Sequence, residues 1–393
     1  MRRLRWIGVL LAGALGLSSC SIAGALNGEE ILDELDGIVR VEGVGADRRV
    51  VYAEEAVLLR DYMRLVALAP VRRALAVVFG DRDVRQLQNP GEHVRGLLTA
   101  LPDRTAGGWF SAPDLGACSR ACARFAWLAE LAPNPTTRIR SLDGLSRICR
   151  QLNLEPFDGD VSAMLTPLDP DNAREALALL RTHFSDETAV TPQLAEALEV
   201  VSSAPLDTYE DRALLVEELG AWHASSADSQ LRAPLAAALR SAIGHAARGA
   251  LLRSVIGRSR TLAEVRLCGM EQVRRLGGPR SVPLLLAAMS ASPAERAQGA
   301  PAFDTDTLVM LRLIHYCGQL GPEAARAVVR LPGRRDWEAT SASEFLARTI
   351  LAETDYYSQL RTPAIVALTW CLGRPTIDLD PAWVREGIED RDA

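Results

Sequence analysis

The sequence contains no lysine; all 44 of its basic residues are arginine. That absence excludes any chemistry requiring a side-chain amine, Schiff-base formation among it. Aromatic residues make up 5% of the 393 positions, while Ala, Leu and Arg dominate, a composition that favours helix. The five histidines, at positions 93, 183, 223, 245 and 315, are scattered. His315-Tyr316-Cys317 is no local dyad, because residues two apart on a helix point to different sides. There is no Gly-x-Ser-x-Gly elbow, no His-Glu-x-x-His helix and no phosphate-binding glycine loop. Asp158, Asp160, Asp169 and Asp171 lack the spacing of a calcium loop and read as helix caps and solvated turns. No catalytic residue, cofactor or metal set is expected. A formal charge of −6 argues against nucleic acid, whose binding needs a basic footprint.

Residues 1–20, MRRLRWIGVLLAGALGLSSC, place three arginines before an apolar run over 6–17, followed by small residues. This is the order of a secretory signal, and the run is too short for a comfortable membrane span. Leu17-Ser18-Ser19-Cys20 resembles the bacterial lipobox. The resemblance implies a signal peptide over residues 1–19, cleavage before Cys20, and lipid on the Cys20 sulfur and amine. Loss of the three signal arginines lowers the chain's charge from −6 to −9. Several acyl chains on one residue anchor firmly, at about 0.8 kcal/mol per buried CH₂. In such lipoproteins Asp after the cysteine commonly signals inner-membrane retention. Ser21 therefore implies the periplasmic side of the outer membrane. Residues 20–28 form a tether spanning at most roughly 3.5 Å per residue.

Residues 29–165 read as an N-terminal helical region. A short acidic helix is expected over 29–36, and a small β-hairpin from residues 38–41 and 49–52 around a turn at 43–47. Helices follow over 53–68, 70–79 and 90–101, then a loop over 102–113 holding Trp109 and Phe110. Residues 114–131 and 137–152 form a helical hairpin around Pro133-Asn134-Pro135. Cys118 and Cys122 lie one turn apart on one face, with Cys149 opposite them across the hairpin. That spacing permits a disulfide from Cys149 to Cys118 or Cys122 in an oxidising envelope, or three buried thiols. The stretch 155–168, rich in Pro, Asp and Gly, divides the chain.

Residues 166–393 carry an internal repeat. Pro167-Leu168-Asp169, Arg174 and Leu177 recur as Pro205-Leu206-Asp207, Arg212 and Leu215. Leu-Gly punctuates at Leu219-Gly220, Leu276-Gly277, Leu320-Gly321 and Leu372-Gly373, with Pro279, Pro322 and Pro381 opening second helices. In 261–289 one apolar stripe ends at Gly277-Gly278, where a left-handed residue caps a helix. Pro279 then opens a second stripe of Val282, Leu285, Leu286 and Met289. This unit resembles a HEAT repeat, whose second helix begins Pro-Arg-x-Val-Pro, here Pro279, Arg280, Val282 and Pro283. Asp169-Pro170-Asp171-Asn172-Ala173 resembles a TPR joint, but the rest of that pattern is missing. The fold expected is all-α, an α-solenoid of HEAT-like helical hairpins.

Between residues 232 and 280, ten arginines face only Glu264 and Glu271. Arg232, Arg240 and Arg248 rotate about 80° at each step, so they make no single stripe. Arg253, Arg258, Arg260, Arg274, Arg275 and Arg280 are the candidate contacts for an anionic surface or partner; a solvated structural face is the alternative. The function expected is a lipid-anchored scaffold that binds an unidentified envelope protein. The alternative is an enzyme or ligand-binding protein with a pocket between the N-terminal helices and the repeats.

Overall fold

Ile31, Leu32, Leu35 and Ile38 recur at helical spacing, and they are the buried face of α1 (Gly28–Ile38). The computed structural model describes residues 28–42, 49–52, 90–105, 114–154, 170–186, 192–203, 209–226, 229–256, 263–289, 306–327, 341–351 and 355–373. Leu17, Ser18, Ser19 and Cys20 lie outside these residues, as do the expected helices at 53–68 and 70–79, Trp109, Phe110, the stretch 155–168, Pro205, Arg258, Arg260 and Pro381. The described residues are all-α but for one two-stranded sheet. The chain forms two compact units, Met1–Ile148 and Cys149–Ala393.

In the first unit, β1 (Val39–Glu42) pairs antiparallel with β2 (Arg49–Tyr52), Val39 opposite Tyr52, where a small hairpin is expected from residues 38–41 and 49–52. Next comes α2 (Pro90–Thr105), which runs on through Pro102 instead of stopping at 101. A proline this close to a helix end removes only a late hydrogen bond. Leu97, Leu98 and Leu101 are buried beside it and hold the last turn. Asp114 caps α3 (Leu115–Leu131), accepting from the Gly116 and Ala117 amides at 2.9 and 3.3 Å. Pro135 opens α4 (Pro135–Gln151), where its missing N–H costs nothing. Helices α1, α2 and α3 pack on one another, and the Phe125 ring of α3 lies directly over Gly144 of α4. The acidic edge of α1 faces α3: Arg120 pairs with Glu29, with Asp33 at 2.9 Å and with Asp36 at 3.5 Å, and Arg124 bonds Asp36. Exposed pairs of this kind contribute about 0–1 kcal/mol each.

The second unit holds α5 (Pro170–Asp186), α6 (Pro192–Ser203), α7 (Tyr209–Ser225), α8 (Ser229–Ile256), α9 (Ala263–Gly277), α10 (Ser281–Met289), α11 (Thr307–Gly318), α12 (Pro322–Arg326), α13 (Ala342–Leu351) and α14 (Asp355–Leu372). Packing joins consecutive helices and also helices two or three apart in the chain. Helix α5 lies on α6, α7 on α8, and α6 on α8; α8 then contacts α9 and α10, α9 contacts α11, and α13 and α11 both pack on α14. Central α8 manages many neighbours with small residues: Ala238, Ala242, Ala246, Ala247 and Ala250 are buried among Leu235, Leu239 and Ile243.

The turn between α9 and α10 follows the sequence closely. Gly278 takes φ +55, a left-handed conformation open to glycine at no steric cost, and Pro279 sits in a short 3₁₀ turn before α10. Gly373 ends α14 in the same way, at φ +67. Leu219-Gly220 does not punctuate; α7 runs through it to Ser225. Leu219 is fully buried, and that burial outweighs the roughly 1 kcal/mol that glycine costs inside a helix.

Candidate functional site

The arginines of 232–280 divide by what neighbouring helices do with them. Arg266 is only 2% exposed, and its Nε donates to the Val255 carbonyl at 3.0 Å. Val255 lies in the last turn of α8, whose carbonyls have no partner within the helix. Two other arginines do the same work. Arg138 of α4 donates to the Ala129 carbonyl at 3.0 Å and to that of Glu130, at the end of α3. Arg240 of α8 reaches the Leu152 carbonyl at 3.4 Å, just past α4. A guanidinium can reach carbonyls with several donors while its stem packs on apolar surface, so part of the arginine excess serves helix ends. Arg248 is also buried; burial, with Arg212 nearby, lowers it to about 10.

Among the expected contacts, Arg253 is half-buried on α8, Arg280 ends the 3₁₀ turn, and Arg274 and Arg275 occupy the last turn of α9. Cations there favour the helix dipole. The structure gathers Arg274 and Arg275 with groups from α11. Asp306 caps α11, accepting from the Leu308 and Val309 amides at 3.0 and 3.2 Å. Val309, Met310, Leu313, Ile314 and Cys317 fill its inner face, which leaves Arg312, His315 and Gln319 exposed along one edge.

Tyr316 is the pivot of this cluster. Its hydroxyl donates to Glu271 Oε2 at 2.6 Å, and Arg275 Nε donates to Glu271 Oε1 at 2.9 Å. Burial alone would raise the Glu271 carboxyl, but the two donors hold it below the usual carboxylate range. The Tyr316 phenol is pushed up, by burial first and by Glu271 next. The Arg274 guanidinium lies 5.9 Å from the Tyr316 ring centroid and that of Arg312 6.0 Å, within cation–π reach. Arg274 also donates to Gln319 Oε1 at 3.2 Å, and Gln319 Nε2 lies 2.9 Å from His315 Nε2. Arg275 and Arg312 therefore act on one carboxylate, Glu271, and Arg274 joins them through Gln319 and the Tyr316 ring, on an exposed ledge of α9 and α11. The Glu271–Tyr316 and Arg274–Gln319 pairs both join residues 45 apart, an interval across which no local pattern in the sequence links them.

Cys118, Cys122 and Cys149 are buried thiols in the structure. Burial pushes Cys149 up to about 12, which leaves little thiolate to exchange at neutral pH. Bridging of Cys149 to Cys118 or Cys122 is a question for peptide mapping. Among the described residues, no group of three or more His, Cys, Asp or Glu comes together as a metal site, and no helix is long and apolar enough to cross a membrane. The chain matches no protein-family model, no curated protein and no solved structure.

Proposed function

We propose that this protein is a lipid-anchored envelope scaffold that binds another protein through a HEAT-like helical repeat surface. The observation that carries the reading is pairing between helices one repeat apart. Phe184 of α5 stacks on Trp222 of α7, with ring centroids 4.7 Å apart and planes at 10°. Those two residues are separated by the same interval as Pro167 and Pro205. One turn earlier, Arg181 Nη2 meets Glu218 Oε1 at 2.9 Å. Like meets like again at α9 and α11. Stacked hairpins of this kind make an extended surface suited to broad protein recognition.

Leu17-Ser18-Ser19-Cys20 supports the anchor, and Ser21 supports the outer membrane over the inner. The ledge on α9 and α11 supplies the anionic-partner contact expected of the arginine-rich segment. The role needs neither a cofactor nor nucleic acid. The test is affinity capture from envelope extracts with the anchored chain. A specific protein recovered with wild type, and lost on disruption of the α5–α7 stack by Trp222→Ala in a folded variant, supports the scaffold. Recovery of the same proteins by both refutes a role for this face.

A further inference from the structure

Two of the three guanidiniums around Tyr316 make no ion pair with a carboxylate among the described residues. Arg275 is taken up by Glu271 at 2.9 Å. Arg274 gives one Nη to Gln319, and Arg312 hydrogen-bonds the Tyr316 side chain and acts on Glu271 only at longer range. Both lie over the ring of Tyr316, which is itself 4% exposed. The ring and Gln319 thus hold the two cations in place before any ligand arrives. Among the described residues around Tyr316, three arginines stand against one carboxylate, Glu271, a net excess of two.

We propose that Arg274 and Arg312, braced on Tyr316, are the docking site for an acidic segment of a protein partner, each guanidinium taking one carboxylate. The proposal rests on the scaffold reading and names the chemistry of its partner. A guanidinium presents a planar pair of donors that matches a carboxylate oxygen for oxygen. Pre-ordering by the ring lowers the side-chain entropy that binding must otherwise cost. Guanidiniums carried by two different helices, α9 and α11, suit a peptide with two acidic residues. An anionic membrane is the poorer fit. Attraction to lipid headgroups draws on clusters of roughly four to eight basic residues, whereas this ledge has three and carries an acid in their midst.

The test uses the full chain in detergent and a fluorescent peptide containing a run of glutamates, with binding followed by anisotropy. Arg274→Gln/Arg312→Gln should weaken binding by about tenfold or more, the loss of at least one charge-assisted contact. Arg140→Gln, on exposed α4 surface in the other unit, should change nothing. Glu271→Gln removes the resident acid and releases Arg275, so it should tighten binding; this arm holds even if the double variant folds poorly. Raising salt should weaken wild type more than the double variant. Equal peptide affinity of wild type and the double variant overturns the proposal. So does loss of binding to phosphatidylglycerol vesicles with peptide binding intact, which makes the ledge a membrane contact. Peptide binding that fails while envelope capture survives defeats this site alone; capture that fails while peptide binding survives defeats the scaffold.

Discussion

Replacing Gly269 by alanine tests the α8–α9 packing that positions the arginine ledge. A Cβ on Gly269 would lie 2.0 Å from Ser254 Oγ, and 3.3 Å from both Ser254 Cβ and Val255 Cγ2. The serine must therefore rotate away, and rotation breaks the 2.7 Å bond from its hydroxyl to the Leu251 carbonyl. Losing that bond costs about 1 kcal/mol, and leaving the hydroxyl buried and unsatisfied costs roughly 1–3 kcal/mol more. Alanine returns about 1 kcal/mol through helix propensity. The net expectation for Gly269→Ala is destabilisation of about 1–3 kcal/mol. Ser254→Ala/Gly269→Ala removes the obstructing oxygen and should be more stable than Gly269→Ala alone, a coupling of roughly 2 kcal/mol. Among the described residues nothing lies within 4 Å of where a Cβ on Gly244 of α8 would stand, so Gly244→Ala should stabilise by about 1 kcal/mol. Urea unfolding followed by circular dichroism, with hydrogen exchange on α9, measures all four proteins and Ser254→Ala alone, which closes the cycle. A Gly269→Ala chain as stable as wild type, or a double variant no better than the single, refutes the packing.

Arg266→Met should cost about 1.5–3 kcal/mol, because it removes a charge-assisted bond to the end of α8 while keeping the apolar stem; an unchanged unfolding midpoint would show the bond to be idle. His245 is driven down to about 4 by burial, with Arg248 and Arg212 adding repulsion. The unfolded imidazole, near 6.5, takes up a proton that the folded one refuses, so stability should fall as pH drops from about 6.5 towards 4, by up to roughly 3 kcal/mol. His245→Gln should flatten that limb of the pH–stability curve, and an unaltered slope would assign it elsewhere. Cys20→Ala should release the chain from membranes or leave an uncleaved precursor; normal processing and fractionation would contradict the lipid anchor. Peptide mapping of envelope-derived protein without reduction decides between a Cys149 bridge and buried thiols, since complete alkylation after unfolding rules out the bridge.

What could be read in the sequence was local. Gly277-Gly278-Pro279 marks its turn because left-handed backbone and a missing N–H are properties of single residues. The pairing of 39–42 with 49–52 is legible for the same reason, through two short β-branched runs either side of a glycine-rich stretch. Leu219-Gly220 has the same letters as a helix end, yet the helix continues, because burial of Leu219 depends on helices distant in the chain. Pro102 escapes in the same way, through the buried leucines beside it. The arginine excess was plain as composition, but composition does not say which arginines turn inward. Arg266 is buried because the end of α8 presents a carbonyl to it. Tyr316 and Glu271 gave no signal alone, since they stand on separate helices, 45 residues apart in the chain.

The scaffold account is tested most directly in intact envelopes, with a photo-reactive amino acid in place of exposed His315. The account predicts a discrete protein adduct on irradiation, diminished in the Arg274→Gln/Arg312→Gln background and absent when the probe stands at Arg140. Adducts to lipid alone, or the same protein adducts from both positions, would contradict it.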